Sequence, residues 1–335
     1  MPVVLSNPLR RLVTAGGAVA AVVVVWFTLQ YFPPGGSGRE VLITVHQGNS
    51  MAVIAGDLHQ SGVIASAFAF RLDSLLEGAP LVRPGVYEFA QGASFSTIRS
   101  ILSGGPNVPQ VDVVAGLTIK EIALELANSV GNTFASTFLA DAQHAVATSA
   151  YRPNGTLDGL VGPGLYLITP TETPAQLLAA MQRGFDAEAA GVGLSPTSTN
   201  EGLDAYQLVI AASIVEKEGY YAKNMPDVAR VIYNRLARGM PLQMDSTVLY
   251  ALGLDGGTVT RAMLQTRTPY NTYLNKGLTP TPICVVSPQA LDAVLHPPAG
   301  SWLYFVLVKK DGTMVFSTTY AEQLAQEAIA AKAGL

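Results

Sequence analysis

DAYQLVIAASIVEKEG, residues 204–219, decides how this chain is read. After Asp204 the run carries no charge until Glu216. At about 100° per residue, Leu208, Ala211, Ala212 and Val215 form one stripe, and the neighbouring faces are nearly as apolar, so the segment reads as a buried helix. Gly219 reads as its C′ stop. A carboxylate closing a buried helix is paired, protonated or at work. Glu216 and Glu218 are two apart, so on a helix they point about 200° away from each other. They cannot form a carboxylate pair across one glycosidic bond, and a catalytic helix here supplies one acid/base only. Burial would raise the pKa of such a group from ~4.3 towards ~6, which suits a general acid at neutral pH. The competing reading is structural: either glutamate can cap a helix end, pair with Lys217 of a neighbouring turn or with Arg235, or be solvated.

The 335 residues predict two or three folded units with a sizeable core. Charged residues make up 13% and hydrophobic ones 49%, and part of that excess is a single segment. Leu12–Phe32 carries no charge, and as a helix it spans roughly 31 Å, the thickness of a hydrocarbon core. Arg10 and Arg11 precede it, so residues 1–11 read as a cytoplasmic tail, 12–32 as a transmembrane helix, and the rest as lying beyond the membrane. A cleaved signal peptide fits less well, because its small-x-small site, Ala18-Val19-Ala20, sits inside the apolar run. PPGGSG, within a 33–40 linker, follows. Cys284 is the single cysteine, so there is no disulfide framework, and its apolar setting at Ile283–Val286 reads as packing. The four histidines have no metal-binding spacing, so neither a metal nor another cofactor is expected. A net charge of −4 argues against a nucleic-acid partner.

A weak repeat runs through the first third. GNSMAVIAGDL (Gly48–Leu58), GASFSTIRSIL (Gly92–Leu102) and GLTIKEIALEL (Gly116–Leu126) each set a Ser or Thr to N-cap a helix whose Ile and Leu share a face. The strand-like runs VLITV (Val41–Val45), GVYEF (Gly85–Phe89) and VDVV (Val111–Val114) precede them, which predicts small strand–turn–helix units. Gly104-Gly105-Pro106 marks a boundary, and a helical, loop-rich region including Leu157–Pro170 runs to about Pro196. Met225–Gly239 reads as a helix with Pro226 at N1, Gly239 at C′, and Val228, Val231 and Ile232 on one face. A long polar and aromatic loop is expected over Pro241–Pro298. A hairpin turning at Asp311-Gly312 and a capping box, Thr319-x-x-Glu322, opening a last helix complete the chain.

The 241–298 region holds LQMDSTVLY and TPYNTY, in which Gln243, Asp245, Thr247, Tyr270, Asn271 and Tyr273 cluster. Sugars are bound by that mixture, aromatic faces against rings with amides and hydroxyls on the equatorial oxygens. With these residues the chain resembles the YceG-like endolytic murein transglycosylase family (MltG). The resemblance is carried by ASIVEKE (Ala212–Glu218), NRLARGMPLQMDSTVLYALG (Asn234–Gly253), TPYNTYLNKGLTPTPI (Thr268–Ile283), HPPAGSWLYFV (His296–Val306) and FSTTYAEQ (Phe316–Gln323), in this order.

The resemblance implies an α+β fold: one N-terminal transmembrane helix, a LysM-like α/β subdomain at 41–105, and a mixed α+β transglycosylase domain at 106–335. It implies Glu218 as the catalytic acid/base, with Glu216 packed or paired on another face. Glu218 would protonate the oxygen between MurNAc and GlcNAc, then take the proton of the MurNAc 6-hydroxyl as it closes on C1 to a 1,6-anhydro end. Gln243, Asn271 and Tyr273 are the candidates for steadying the transition state. The implied partners are nascent peptidoglycan glycan strands, the cytoplasmic (inner) membrane through one helix, and penicillin-binding protein synthases whose strands the enzyme terminates. The catalytic body would sit on the outer, periplasmic face.

The chain departs from the family at several positions. Gly219 stands where a hydroxyl residue is usual, and Met244 and Ser246 replace a small polar residue and a proline around Asp245. Gly277–Ser287 lacks the Pro-Pro-Gly…Asn-Pro-Gly pattern, Gln323 stands where histidine is common, and Leu160–Tyr166 lacks an acidic residue before Tyr. These departures motivate one alternative, a non-catalytic peptidoglycan-binding scaffold with a degenerate transglycosylase domain. A second is an ordinary hydrolase leaving reducing MurNAc ends.

Overall fold

The computed structural model describes residues 38–144, 149–152, 155–219 and 221–334, together with 17–18, 21–22 and 24–28. The expected cytoplasmic tail, most of the expected 12–32 span and most of the linker lie outside the described residues. Those described between 17 and 28 are helical, and among the described residues no helix is long and apolar enough to cross a membrane. The chain divides between Pro109 and Gln110 into two compact units. The architecture is mixed α+β, with small two-stranded sheets among helices.

In the first unit, β1 (Glu40–Val45) pairs antiparallel with β2 (Gly85–Ala90), Ile43 opposite Tyr87. Strand alternation turns Ile43 and Val45 inward and leaves Leu42 and Thr44 exposed. Between the strands run α1 (Met51–Gln60) and α2 (Ala67–Glu77), and α3 (Phe95–Gly104) follows β2. Ser50 and Ser94 N-cap α1 and α3 as the repeat predicts, accepting from the backbone N–H of Val53 and Thr97. Helix α2 answers to no repeat. Ser66 caps it, and Phe70 meets Phe95 edge-to-face at 5.3 Å in the core.

The second unit opens with β3 (Gln110–Val113) and α4 (Ile119–Ser129), where Thr118 and Glu121 form a full capping box. Helices α5 (Asn132–Gln143) and α6 (Pro174–Gly191) flank β4 (Gly164–Leu167). The expectation of helix and loop over 157–170 is corrected here: β4 pairs with β3, Val111 opposite Tyr166, a partner supplied from about fifty residues away. A short hairpin, β5 (Thr199–Asn200) and β6 (Leu203–Asp204), leads into α7 (Ala205–Glu218).

Helix α7 is the buried helix expected, capped by Asp204 with Gln207, and Leu208 through Val215 are all buried. Each such Leu, Ile or Val side chain stabilises the fold by about 1.5–3 kcal/mol. Around it pack α8 (Met225–Ala237), α9 (Asp245–Leu252) and α10 (Pro288–Leu295). The last two correct the expectation of one long loop over Pro241–Pro298. In α8, Pro226 takes the second helical position rather than the first, and Gly239 has the left-handed φ of 61° expected after a helix. Gly219 is also corrected. Its φ is −70°, ordinary helical backbone, and a side chain there would put a Cβ 2.7 Å from Met225 Cγ, so close packing asks for the glycine. The hairpin of β7 (Tyr304–Leu307) and β8 (Met314–Ser317) turns through Gly312 at φ 83°, and α11 (Tyr320–Lys332) starts at the Thr319–Glu322 capping box.

Candidate active site

The C-terminal end of α7 meets the N-terminal ends of two other helices, and its two glutamates make the same contact with each. Glu216 Oε2 accepts from the backbone N–H of Ser287 at 2.9 Å and from its hydroxyl at 2.5 Å, at the start of α10. Glu218 Oε1 accepts from the N–H of Ser246 at 3.2 Å and from its hydroxyl at 2.6 Å, in the first turn of α9. Helix α9 has no cap from its own N-cap residue, Met244, so Glu218 satisfies a backbone donor that would otherwise lack a partner. The positive end of the α9 dipole favours a carboxylate there.

What separates the two is the surroundings. Glu218 lines a cleft of about 210 Å³ with Lys217, Asp245, Ser246, Tyr250 and Asp255, and Glu216 does not. Burial pushes the Glu218 carboxyl above the ordinary glutamate value. The Ser246 hydroxyl and N–H oppose that rise, Asp245 adds to it, and the Arg235 guanidinium pulls it down. Burial wins, because desolvating a carboxylate outweighs two hydrogen bonds to it. Both Ser246 bonds fall on Oε1, and among the described residues no donor reaches Oε2. When the carboxyl is neutral, Oε2 is therefore the oxygen left to carry its proton. A second chamber of about 470 Å³ adjoins the first and shares Thr118, Glu121, Tyr250 and Leu254 with it. Tyr250 and Tyr270 form its aromatic wall, ring centroids 5.0 Å apart. Beside that wall Asp158 accepts from Tyr250 OH at 3.0 Å and from Thr156 at 2.8 Å, and burial raises its carboxyl against those two bonds. Together the chambers reach the size of an ordinary ligand cleft, about 300–1,000 Å³.

Of the residues singled out in the sequence, Glu218 and Asp245 come together in the first chamber, and Tyr270 stands in the second. Tyr273 donates to Asp245 Oδ1 at 2.6 Å and so holds that carboxylate from behind. Thr247 and Asn271 are both fully buried, and their polar groups are taken up by the protein. The Thr247 hydroxyl donates to Met244 O and meets Thr272 Oγ1, while Asn271 Nδ2 donates to the carbonyls of Leu264 and Thr266. They build the loop that carries Tyr270 and Tyr273. Gln243 is exposed at φ 52°, outside the lining of either chamber. Arg235 is buried and donates to the carbonyls of Leu303 and Leu242, so it acts on Glu218 through its field rather than by a salt bridge. Cys284 is buried and burial pushes its thiol up, as suits a packed side chain.

The sequence reading passes over Ser246, Tyr250 and Asp158 as site residues and weighs Lys217 only as a partner for a glutamate. In the sequence Ser246 stands out only as a departure from proline. Lys217, between the two glutamates, donates to Asp255 at 3.0 Å and to Gly116 O at 3.3 Å, and both Lys217 and Asp255 line the cleft. Tyr250 carried a signal in its position on the α9 face that also bears Ser246, one turn further on.

The chain is similar to several known proteins. The endolytic murein transglycosylase of Bacillus subtilis (strain 168) is 30% identical over 303 residues, covering 85% of this chain and 83% of that protein. The endolytic murein transglycosylase of Streptococcus pneumoniae serotype 2 (strain D39) is 28% identical over 316 residues. That match covers 84% of this chain, which spans 56% of the pneumococcal protein's length. A crystal structure of a YceG-like protein from Listeria monocytogenes superposes with a TM-score of 0.57 at 25% identity, covering 86% of this chain and 99% of that one. The YceG-like family profile matches residues 43–328, and the chain belongs to that family.

Proposed function

We propose that this YceG-like protein is an endolytic murein transglycosylase and that Glu218 is its acid/base. The observation that carries the reading is the Glu218 carboxyl: held at Oε1 by Ser246, raised by burial, and set in the lining of the cleft. From Oε2 it gives a proton to the oxygen linking MurNAc C1 to GlcNAc as that bond breaks. Glu218 Oε2, now without its proton, then takes the proton of the MurNAc 6-hydroxyl while O6 closes on C1. No water is consumed, and the product ends in 1,6-anhydro-MurNAc. The nucleophile belongs to the substrate, so its effective concentration is high without a second protein carboxylate. Such a proton transfer contributes about 10²–10⁴ in rate. The adjoining chamber suits a polymer that extends past the scissile bond, as an endolytic cut requires. With residues 12–32 as a membrane anchor, the cleft works on nascent strands at the outer face of the cytoplasmic membrane and terminates their growth.

One observation favours a second reading. Asp245 lines the same chamber as Glu218, and two carboxylates in one cleft suit an ordinary glycoside hydrolase. The products decide between them. Mass spectrometry of glycan digested by the protein should show anhydro-MurNAc ends that disappear in Glu218→Gln. Reducing MurNAc ends would establish the hydrolase instead, and no products at all the non-catalytic scaffold.

A further inference from the structure

Helix α2 of the first unit carries an apolar face that nothing in the described structure covers. Phe68, Leu72, Leu75 and Leu76 follow i, i+4, i+7, i+8 spacing and fall within about 100° of arc. Phe68, Leu75 and Leu76 are 69%, 80% and 71% exposed, and Leu81, just beyond the helix, is 85% exposed. The opposite face is firmly held by Ala69 and Phe70 in the core and by Asp73, which pairs with Arg99 at 3.0 Å. The stripe is therefore presented by a fixed helix and is not the by-product of a loose one. Beside it runs an open groove of about 520 Å³, between α2 and the start of α1.

The polar content of this groove is meagre. The Ser50 hydroxyl accepts from Val53 N–H as a helix cap, and the Ser74 hydroxyl donates to Phe70 O. Arg71 is the remaining charged side chain in the lining. A sugar needs several hydrogen-bonding groups around each ring, and this face does not supply them. An acyl-chain boundary needs none, and an arginine beside such a face can reach up to the headgroups.

We infer that this face, Phe68, Leu72, Leu75, Leu76 and Leu81, rests on the outer leaflet of the membrane beside the chain's own anchor. The inference depends on the reading of residues 12–32 as a membrane span. If so, residues 33–39 are the whole tether to β1, and fully extended they reach about 25 Å. A body of about seventy residues has a radius of gyration of roughly 11 Å. Phe27, near the end of that span, packs against the core of the unit, so the unit stays at the bilayer surface at high effective concentration, and the apolar stripe is the face suited to meet it. Contact of this kind lies flat in the interface and inserts only the side chains.

The test uses the full chain in lipid nanodiscs with an environment-sensitive fluorophore on single introduced cysteines. Cys284, 1% exposed, leaves the new thiol as the reactive one. Leu75→Cys and Leu76→Cys should be quenched roughly twofold or more by nitroxide lipids labelled at shallow acyl positions, since an interfacial face sits about 5–10 Å into the headgroup boundary. Thr44→Cys, on the exposed face of β1, should not. Val24→Cys reports on the anchor itself. Quenching at residue 24 without quenching at 75 and 76 overturns the docking face and leaves the anchor standing. No quenching at any of them overturns both. Protection of residue 75 by added glycan strands rather than by lipid makes the groove a sugar site, and the inference is then wrong.

Discussion

Ser246 is the residue whose alteration reads out the proposed chemistry most directly. Ser246→Ala removes the 2.6 Å hydroxyl bond to Glu218 Oε1 and keeps the N–H bond at 3.2 Å. A hydrogen bond to a charged group is worth about 1.5–3 kcal/mol, and this one favours the ionised form. Without it, burial and Asp245 meet less opposition, so the Glu218 carboxyl rises further. Each 1.36 kcal/mol of lost stabilisation of the carboxylate moves a titration by about one pH unit. Glu218 must carry its proton when cleavage begins, so activity falls as pH rises through its pKa. The alkaline limb of the kcat/KM profile should therefore move to higher pH in Ser246→Ala. Ser246→Pro removes both donors and should move it further, since proline is tolerated in the first turn of a helix. Plateau rates should change by less than about fivefold, under 1 kcal/mol of barrier, because neither variant touches the reacting oxygen. The assay is release of anhydro-ended fragments from glycan strands across pH, with Glu218→Gln as the blank. A limb that stays in place in both variants, or moves to lower pH, refutes the reasoning.

Glu218→Gln should also be more heat-stable than the wild type at neutral and alkaline pH. A carboxyl raised by burial contributes stability that is present below its unfolded pKa of ~4.3 and is lost as pH rises through its folded value, so the advantage of the amide should vanish on acidification. Melting curves of equal offset at both ends of the range contradict this. Glu216→Ala strips the start of α10 of two bonds and should cost about 1.5–3 kcal/mol, a fall in Tm of several degrees, with the kcat of the folded enzyme kept. A large loss of kcat at unchanged Tm would give Glu216 a chemical role. Leu254→Arg fills the strip shared by the two chambers from a position 44% exposed. It should raise KM for long glycan strands about tenfold, roughly 1.4 kcal/mol, and leave Tm unchanged. An unaltered KM would remove the second chamber from the substrate's path.

Local signals in the sequence carried far where the physics is local. Ser50, Ser94, Thr118 and Thr319 cap the helices they were expected to cap, because a hydroxyl reaches an N–H two or three residues on whatever the rest of the chain does. The 241–298 region was illegible for the converse reason. Helix α9 begins without a cap of its own and is completed by Glu218, 28 residues earlier in the chain. Helix α10 does carry a local signal, Ser287 capping the Ala290 N–H ahead of Pro288, and Glu216, 71 residues earlier, adds to it. Strand β4 was missed likewise, since four residues ending a Gly-rich run become a strand only when β3 lies alongside. The buried bonds of Asn271 and Thr247 were not legible either, because residue type does not show whether an amide or hydroxyl is tied up within the protein.

The two glutamates sharpen that point into an argument about the site. Each accepts an N–H and a hydroxyl from one serine at a helix start, so by hydrogen bonding alone they are the same device. A capping role therefore does not count against catalysis at Glu218, and it explains how an acid can be held steady at the end of a helix. Both donors on one oxygen leave the other oxygen as the only place for a proton, and the cleft lies open beside Glu218 alone. Ionisation of Glu218 is favoured by the cap and opposed by burial, and that opposition is what an acid needs if it must give up a proton and take one back within a single turnover. At Glu216 the same cap stands away from the cleft, where it can only hold α10.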